Sequence, residues 1–364
     1  MNKLPLFFCV ALLVACSSNT SYIVKGVLPD NTYNNKYVYM TEYGNIDFVD
    51  STIVKNGKFK FEGIADEARL RRIEIENLYS NIILENGKIK VDLFNPNHST
   101  GTLLNERLSE YSYGLSSFID AAEQANVEIR LLKTRHDIDK TEKDNLLKSA
   151  QDEINSNMYK LASPAFTENK DNILGAYILW SWAEYLAPKQ FDSAYYESGN
   201  AVQTFSILQM IVERNKNRER TAEGMPFVDF AIEGGYLDGT NAHFSDFVGK
   251  GKYVLVNFWT SLENSYIEDI PLVKALYDRF KGFRFEVLGI ALRDYRHAAH
   301  EKVEEYGLDW PHFIDIKGVS ANLYAIDDLP QIMLFAPDGT IIARNLRGDE
   351  LKEKIFDIML FLKQ

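Results

Sequence analysis

Cysteine is nearly absent from this chain. Its 364 residues contain two, Cys9 and Cys16, and both stand within the first sixteen positions. A disulfide framework is therefore excluded for the folded part, which must be held by apolar burial. The apolar share, 46%, is that of an ordinary globular protein, and a chain of this length is expected to divide into about two to three domains. Positive charge is also in deficit: 40 Lys and Arg against 52 Asp and Glu leave a formal charge of -12. That balance argues against nucleic acid as a partner. No Gly-x-Gly-x-x-Gly, phosphate loop or nucleophile elbow occurs, and "GYLDGTNAHF" reads as a turn. His297 and His300 lie one helical turn apart and His312 follows a Trp-Pro loop. Three histidines can bind zinc, but without a His-Glu-x-x-His pattern they read as surface residues, so neither a metal nor a cofactor is expected.

The sixteen residues that hold both cysteines, "MNKLPLFFCVALLVAC", combine one Lys with an apolar run too short to span a bilayer. They end in Leu13-Val14-Ala15-Cys16, which resembles a bacterial lipobox, with residues 1–15 as signal peptide and Cys16 as the lipidated residue. The alternative is a plain secretory signal with an incidental cysteine. Under the lipobox reading Cys9 leaves with the signal, Cys16 carries lipid, and the mature chain has no free thiol. Residues 16–21 then form a short polar tether to the membrane. Ser17 gives no reason for inner-membrane retention and no acidic cluster follows. The expected location is the cell envelope, on the periplasmic face of the outer membrane.

Three regions follow. Residues 22–100 are short alternating runs such as "YIVKGVL" and "KYVYMTEY", punctuated by Pro29-Asp30, Asn56-Gly57 and Asn86-Gly87. Asn-Gly tolerates the positive φ that tight hairpins need, so the region reads as a small antiparallel β domain, sandwich-like. Residues 101–222 carry apolar positions three and four apart between charged faces, which predicts helices. "DNILGAYILWSWAEYLAP" is the most apolar of them, capped by Asp171 or Asn172 and stopped at Pro188; Trp180 and Trp182 read as packing residues. The polar run "RNKNRERTAEG" reads as a linker. Residues 223–364 alternate strand and helix and end in a hairpin around Pro337-Asp338-Gly339 and a closing helix. That order predicts a thioredoxin-like α/β domain, a central mixed sheet flanked by helices.

Two resemblances sharpen this. "VDSTIVKNGKFKFEG" followed by "LENGKIKV" resembles an N-terminal domain of unknown function found in Bacteroidetes lipoproteins, where it precedes a thioredoxin-like domain. The stretch "VNFWTSLENSYIEDIP" resembles the active-site edge of membrane-anchored thiol–disulfide oxidoreductases of the TlpA and ResA type. In that family Phe-Trp is followed by two small residues, Trp, Cys, two residues, Cys, then an acid and a proline. Counted from Trp259 without a gap, the family Trp falls on Leu262, the two sulfur positions on Glu263 and Tyr266, the acid on Asp269 and the proline on Pro271. The family's first cysteine is a thiolate activated at a helix N-terminus and the second resolves the mixed disulfide. A carboxylate and a phenol do neither, so no catalytic residue is expected.

Glu263 reads either as a favourable first-turn acid or, with Tyr266, as a polar rim for a ligand. Leu329-Pro330, before "QIMLF", stands where the family carries a cis-proline that turns backbone groups towards an incoming peptide. The resemblance thus implies a peptide groove formed by Trp259, Leu262, Glu263, Tyr266, Leu329 and Pro330. The expected function is a redox-inactive binding or assembly protein for envelope polypeptides. The alternative is a thiol–disulfide oxidoreductase-family protein acting with a partner that supplies the cysteines.

Overall fold

The computed structural model describes residues 21–44, 47–95, 98–262, 269–282 and 284–361, in two compact units, residues 1–209 and 210–364. The signal and lipidation segment with Cys16, and the two positions Glu263 and Tyr266, lie outside the described residues.

In the first unit, β1 (Tyr22–Val27), β2 (Tyr37–Glu42), β3 (Phe48–Ile53), β4 (Lys58–Gly63), β5 (Arg69–Ile75), β6 (Leu78–Leu84), β7 (Gly87–Asp92) and β8 (Ser99–Thr100) make two four-stranded sheets. Their orders are β4-β1-β7-β8 and β3-β2-β5-β6. Period-two alternation turns Val24, Phe61 and Ile89 of one sheet and Val38, Met40 and Ile73 of the other into a single buried cluster. The purely antiparallel domain expected over residues 22–100 is corrected at one pair: β1 and β7 run parallel, from Tyr22 opposite Gly87 to Val27 opposite Asp92. Parallel strands need a long crossover, and the chain from β2 to β6 supplies it.

The turns divide the same way. At Asn56-Gly57 both residues have positive φ, 50° and 66°, and Lys55 and Lys58 exchange backbone hydrogen bonds of 2.8 and 3.1 Å. That tight turn carries the chain from β3 in one sheet to β4 in the other. Asn86-Gly87 closes no hairpin. Asn86 Oδ1 accepts from Ala65 N at 2.9 Å and its Nδ2 donates to Ala65 O at 2.8 Å, so the side chain fastens a crossing between sheets. A two-residue hairpin forms instead at Glu76-Asn77, between Ile75 and Leu78, with Glu76 at φ 53°.

The helices are α1 (Leu103–Thr134), α2 (Lys140–Asn169), α3 (Ile173–Trp182), α4 (Pro188–Tyr196), α5 (Asn200–Gln203) and α6 (Ser206–Arg220). The fully buried Asn105 on α1 donates to Ile83 O at 2.7 Å and accepts from Ile83 N at 3.0 Å. The side-chain amide thereby satisfies the β6 backbone as a neighbouring strand would. Asn172, not Asp171, caps α3 by accepting from Leu174 N at 3.0 Å. Helix α3 ends at Trp182, and Pro188 opens α4 at its first turn, where its missing N–H is no loss. Being apolar on all sides, α3 is buried almost throughout; Trp182 is in the core and Trp180 sits edge-on to Tyr43 at 5.5 Å. The run from Arg214 read as a linker is helical through Arg220, and the division between the units falls within α6.

The second unit contains β9 (Ala231–Ile232), β10 (Ala242–His243), β11 (Tyr253–Trp259), α7 (Ile270–Phe280), β12 (Phe285–Leu292), α8 (Arg296–Glu305), β13 (His312–Asp315), α9 (Val319–Leu323), β14 (Gln331–Phe335), β15 (Ile341–Ala343) and α10 (Gly348–Phe361). Its main sheet is ordered β13-β12-β11-β14-β15, with β11, β12 and β13 parallel and β14 and β15 antiparallel additions. Helices cover both faces. Leu255, Trp259, Ile332 and Leu334 pack with Val273 and Leu276 of α7 and Leu351 and Ile355 of α10. On the opposite face Val254, Val256, Phe258 and Met333 meet Phe244 and Tyr324. This is the thioredoxin-like α/β sandwich, preceded by the all-β sheets and the helical segment.

Candidate functional site

The candidate site lies where β11 stops. From Val254 on the strand is buried and alternates, so Phe258 enters one core and Trp259 the other, 1% exposed. Trp259 is therefore no wall of an open groove, and its place among the groove residues is corrected: its ring is held edge-on to His312 at 6.0 Å. The chain then turns at Thr260 and Ser261. Asp294, 1% exposed at the end of β12, accepts from Ser261 N and from Ser261 Oγ at 2.6 Å, and from Tyr295 N at 2.8 Å. A buried carboxylate with several donors is a strong anchor, and it fixes the loop before the chain emerges. Leu262 follows, 63% exposed.

On the far side of residues 263–268, Asp269 is buried at the start of α7 and Pro271 lies in its first turn. Arg347, just before α10, forms an ion pair with Asp269, donates to Pro330 O at 3.3 Å, and precedes Gly348, whose N–H reaches Asp269 Oδ1 at 3.3 Å. One guanidinium thus joins the start of α7 to the loop before β14. Its planar fork suits two acceptors at once. The Leu329–Pro330 bond is cis; Pro330 is buried and Leu329 half-buried against the core. Arg347 thus links Asp269 to Pro330, while Leu262 and Asp269 flank residues 263–268 in the chain. Asp294, Ser261 and Arg347 escape sequence reasoning because each acts across a long separation, 33 residues for the Ser261–Asp294 pair and 17 for Arg347–Pro330.

The three histidines do not converge. His297 and His300 are on the exposed side of α8, each beside a glutamate one turn on, Glu301 at 3.2 Å and Glu304 at 3.6 Å. His312 is buried in β13, stacked on Trp310 at 5.8 Å and pressed against Gly289, where a Cβ would sit 2.3 Å from its Nδ1. Loss of hydration holds its pKa down at about 4, against an ordinary 6.5, while a backbone interaction with Leu308 acts in the opposite sense. No group of three or more metal-ligating side chains occurs among the described residues. Nor, among them, is any helix long and apolar enough to cross a membrane.

Comparison with known proteins agrees with this geometry. Residues 224–344 match the AhpC/TSA family, and residues 22–108 match a domain of unknown function, DUF4369. The C-terminal unit is thioredoxin-like in fold and is similar to thiol–disulfide oxidoreductases. Among curated relatives, it is similar to the thiol-disulfide oxidoreductase ResA of Bacillus subtilis, 25% identical over 146 residues, 40% of this chain and 79% of the relative. It is also similar to ResA of Bacillus thuringiensis, 29% identical over 119 residues, 33% of this chain and 67% of the relative. Among solved structures, the thioredoxin domain of a thiol-disulfide oxidoreductase from Bacteroides vulgatus is 30% identical, covering 38% of this chain and 98% of that one, with a TM-score of 0.34.

Proposed function

We propose that this chain is a cell-envelope lipoprotein, anchored through Cys16, whose thioredoxin-like domain grips polypeptide and exchanges no disulfides. The observation that carries the reading is the register: with Trp259 closing β11 and Asp269 and Pro271 opening α7, the two sulfur positions fall on Glu263 and Tyr266, and no cysteine follows residue 16. Attack on a disulfide needs a thiolate, and a carboxylate or phenol forms no mixed disulfide. What supports binding is the retained frame: an exposed Leu262 at the end of the loop after β11, and a buried Asp269 and Pro330 fastened by the same arginine. A peptide there would meet a surface whose borders are already in place, which lowers the ordering cost of association.

The test has two arms. Purified protein given insulin and dithiothreitol is expected to show no insulin reduction above the blank; turnover above it refutes the redox-inactive reading. A photoreactive residue placed at position 266 in living cells is expected to capture defined polypeptides. Irradiation that yields no adduct refutes the binding role.

A further inference from the structure

The β sandwich carries an open trough of about 1080 Å³, apart from the thioredoxin-like site. Its chemistry runs against the charge of the chain. Five lysines line it, Lys25, Lys55, Lys58, Lys60 and Lys90, with His98, and a single carboxylate, Asp92. The sheet register explains how they converge. Lys25 on β1 stands opposite Lys60 on β4 and opposite Lys90 on β7, so three ammonium groups share one row across three strands. Neighbouring strands lie about 4.8 Å apart, which sets the row at about 10 Å.

Like charges placed directly opposite destabilise a sheet, so stability of the fold does not account for the row. The row two residues away on the same strands shows the contrast: Ile23 lies between Glu62 and Lys88, an acid and a base. Lys60 is partly neutralised by Glu62 on its own strand. Lys25, Lys55, Lys58 and Lys90 have no carboxylate partner among the described residues. Asp92 turns to its own loop, where it accepts from Phe94 N at 2.9 Å. Beside the charged row the lining becomes apolar, with the exposed side chains of Val27, Tyr37 and Ile53, and hydroxyls from Ser51 and Thr52.

We propose that this trough binds a phosphate-bearing amphiphile, with the phosphate on the Lys25, Lys60 and Lys90 row and the apolar part along Val27, Tyr37 and Ile53. Several ammonium groups within about 10 Å match a group carrying nearly two negative charges and three acceptor oxygens, as a phosphate monoester does at neutral pH. A carboxylate offers one charge. The lining has lysines and no arginine, and lysine binds phosphate as a point charge. The adjoining apolar wall separates an amphiphile from free phosphate.

The test is calorimetric titration of the full chain with dihexanoyl phosphatidic acid below its micelle concentration, with dihexanoyl phosphatidylcholine, octanoate and inorganic phosphate as comparisons. Phosphatidic acid is expected to bind and the other three to bind at least about tenfold more weakly. The Lys25→Glu, Lys90→Glu double variant, checked for an unchanged circular dichroism spectrum, is expected to lose about tenfold or more in affinity, since it removes two charge-assisted contacts. Lys88→Glu, one strand position pair away and outside the trough, is expected to bind as the unaltered chain does. Equal binding of inorganic phosphate overturns the amphiphile, equal binding of octanoate the phosphate, and equal binding of phosphatidylcholine the role of charge. Absence of phosphatidic acid binding, or equal effects of the Lys88 and Lys25/Lys90 replacements, overturns the site.

Discussion

Acidification should weaken the C-terminal unit through one side chain. His312 is buried between Trp259 and Trp310 with its pKa at about 4, whereas an exposed histidine in the unfolded chain titrates near 6.5. Because the folded value is the lower one, the unfolded chain takes up the proton first. The stabilising effect of the neutral ring is therefore complete above about pH 6.5 and is lost as pH falls towards about 4, below which both states are protonated. Linkage over that window amounts to about 3 kcal/mol in total, of which about 2 kcal/mol is lost between about pH 7 and about pH 5.

Urea unfolding of the full chain at successive pH values, followed by tryptophan fluorescence, measures the loss. Carboxylates elsewhere add their own slope, so the comparison is with His312→Leu, which keeps apolar volume in the same place and removes the titrating nitrogens. The variant is expected to be shallower than the unaltered chain by about 2 kcal/mol across that interval. Equal slopes for the two proteins would refute the reasoning, as would an NMR titration placing the imidazole pKa of His312 near 6.5.

Three further outcomes are expected. Cys16→Ala should move the protein from the membrane to the soluble fraction on cell fractionation, and continued membrane association would point to another anchor. Glu263→Cys combined with Tyr266→Cys should close an intramolecular disulfide on oxidation, read as a mass loss of two hydrogens, because the two positions carry the spacing of the family's cysteine pair; a bridge needs Cα atoms about 4.4–6.8 Å apart, so failure to oxidise would sink the register. Arg347→Ala should destabilise the C-terminal unit by about 2 kcal/mol, since it strips the buried Asp269 of its cation, with the partial exposure of the arginine keeping the cost below that of a fully buried pair; an unchanged urea midpoint would show the pair to be inert.

Sequence pattern revealed most where the signal is local. The apolar run of β11, the amphipathic α7 and the Pro337-Asp338-Gly339 turn each declare themselves within a few residues, and together they fix a thioredoxin-like order. Local pattern misled where a distant partner decides the outcome. Asn86-Gly87 has hairpin chemistry, yet Asn86 spends its amide on Ala65, 21 residues back. Glu76 lacks a turn residue's character but takes positive φ because the register of β5 and β6 demands it. The polar run from Arg214 looks like a linker by composition, and its helix is tied down by Asn217 donating to Asn322 O at 3.1 Å and by ion pairs of Arg214 and Arg218 with Asp327. At the site, the motif positions were legible because their spacing is fixed, whereas the burial of Trp259 follows from strand alternation that a motif does not display.

The loop after β11 is gripped by Asp294 through Ser261, and the start of α7 by Arg347 through Asp269, one anchor on either side of positions 263–268 in the chain. Two anchors of the frame thus stand outside the positions where the resemblance puts the chemistry. A laboratory that varies positions 263–268 therefore leaves both anchoring pairs in the sequence, and can use them as fixed reference points for short sequences of its own choosing.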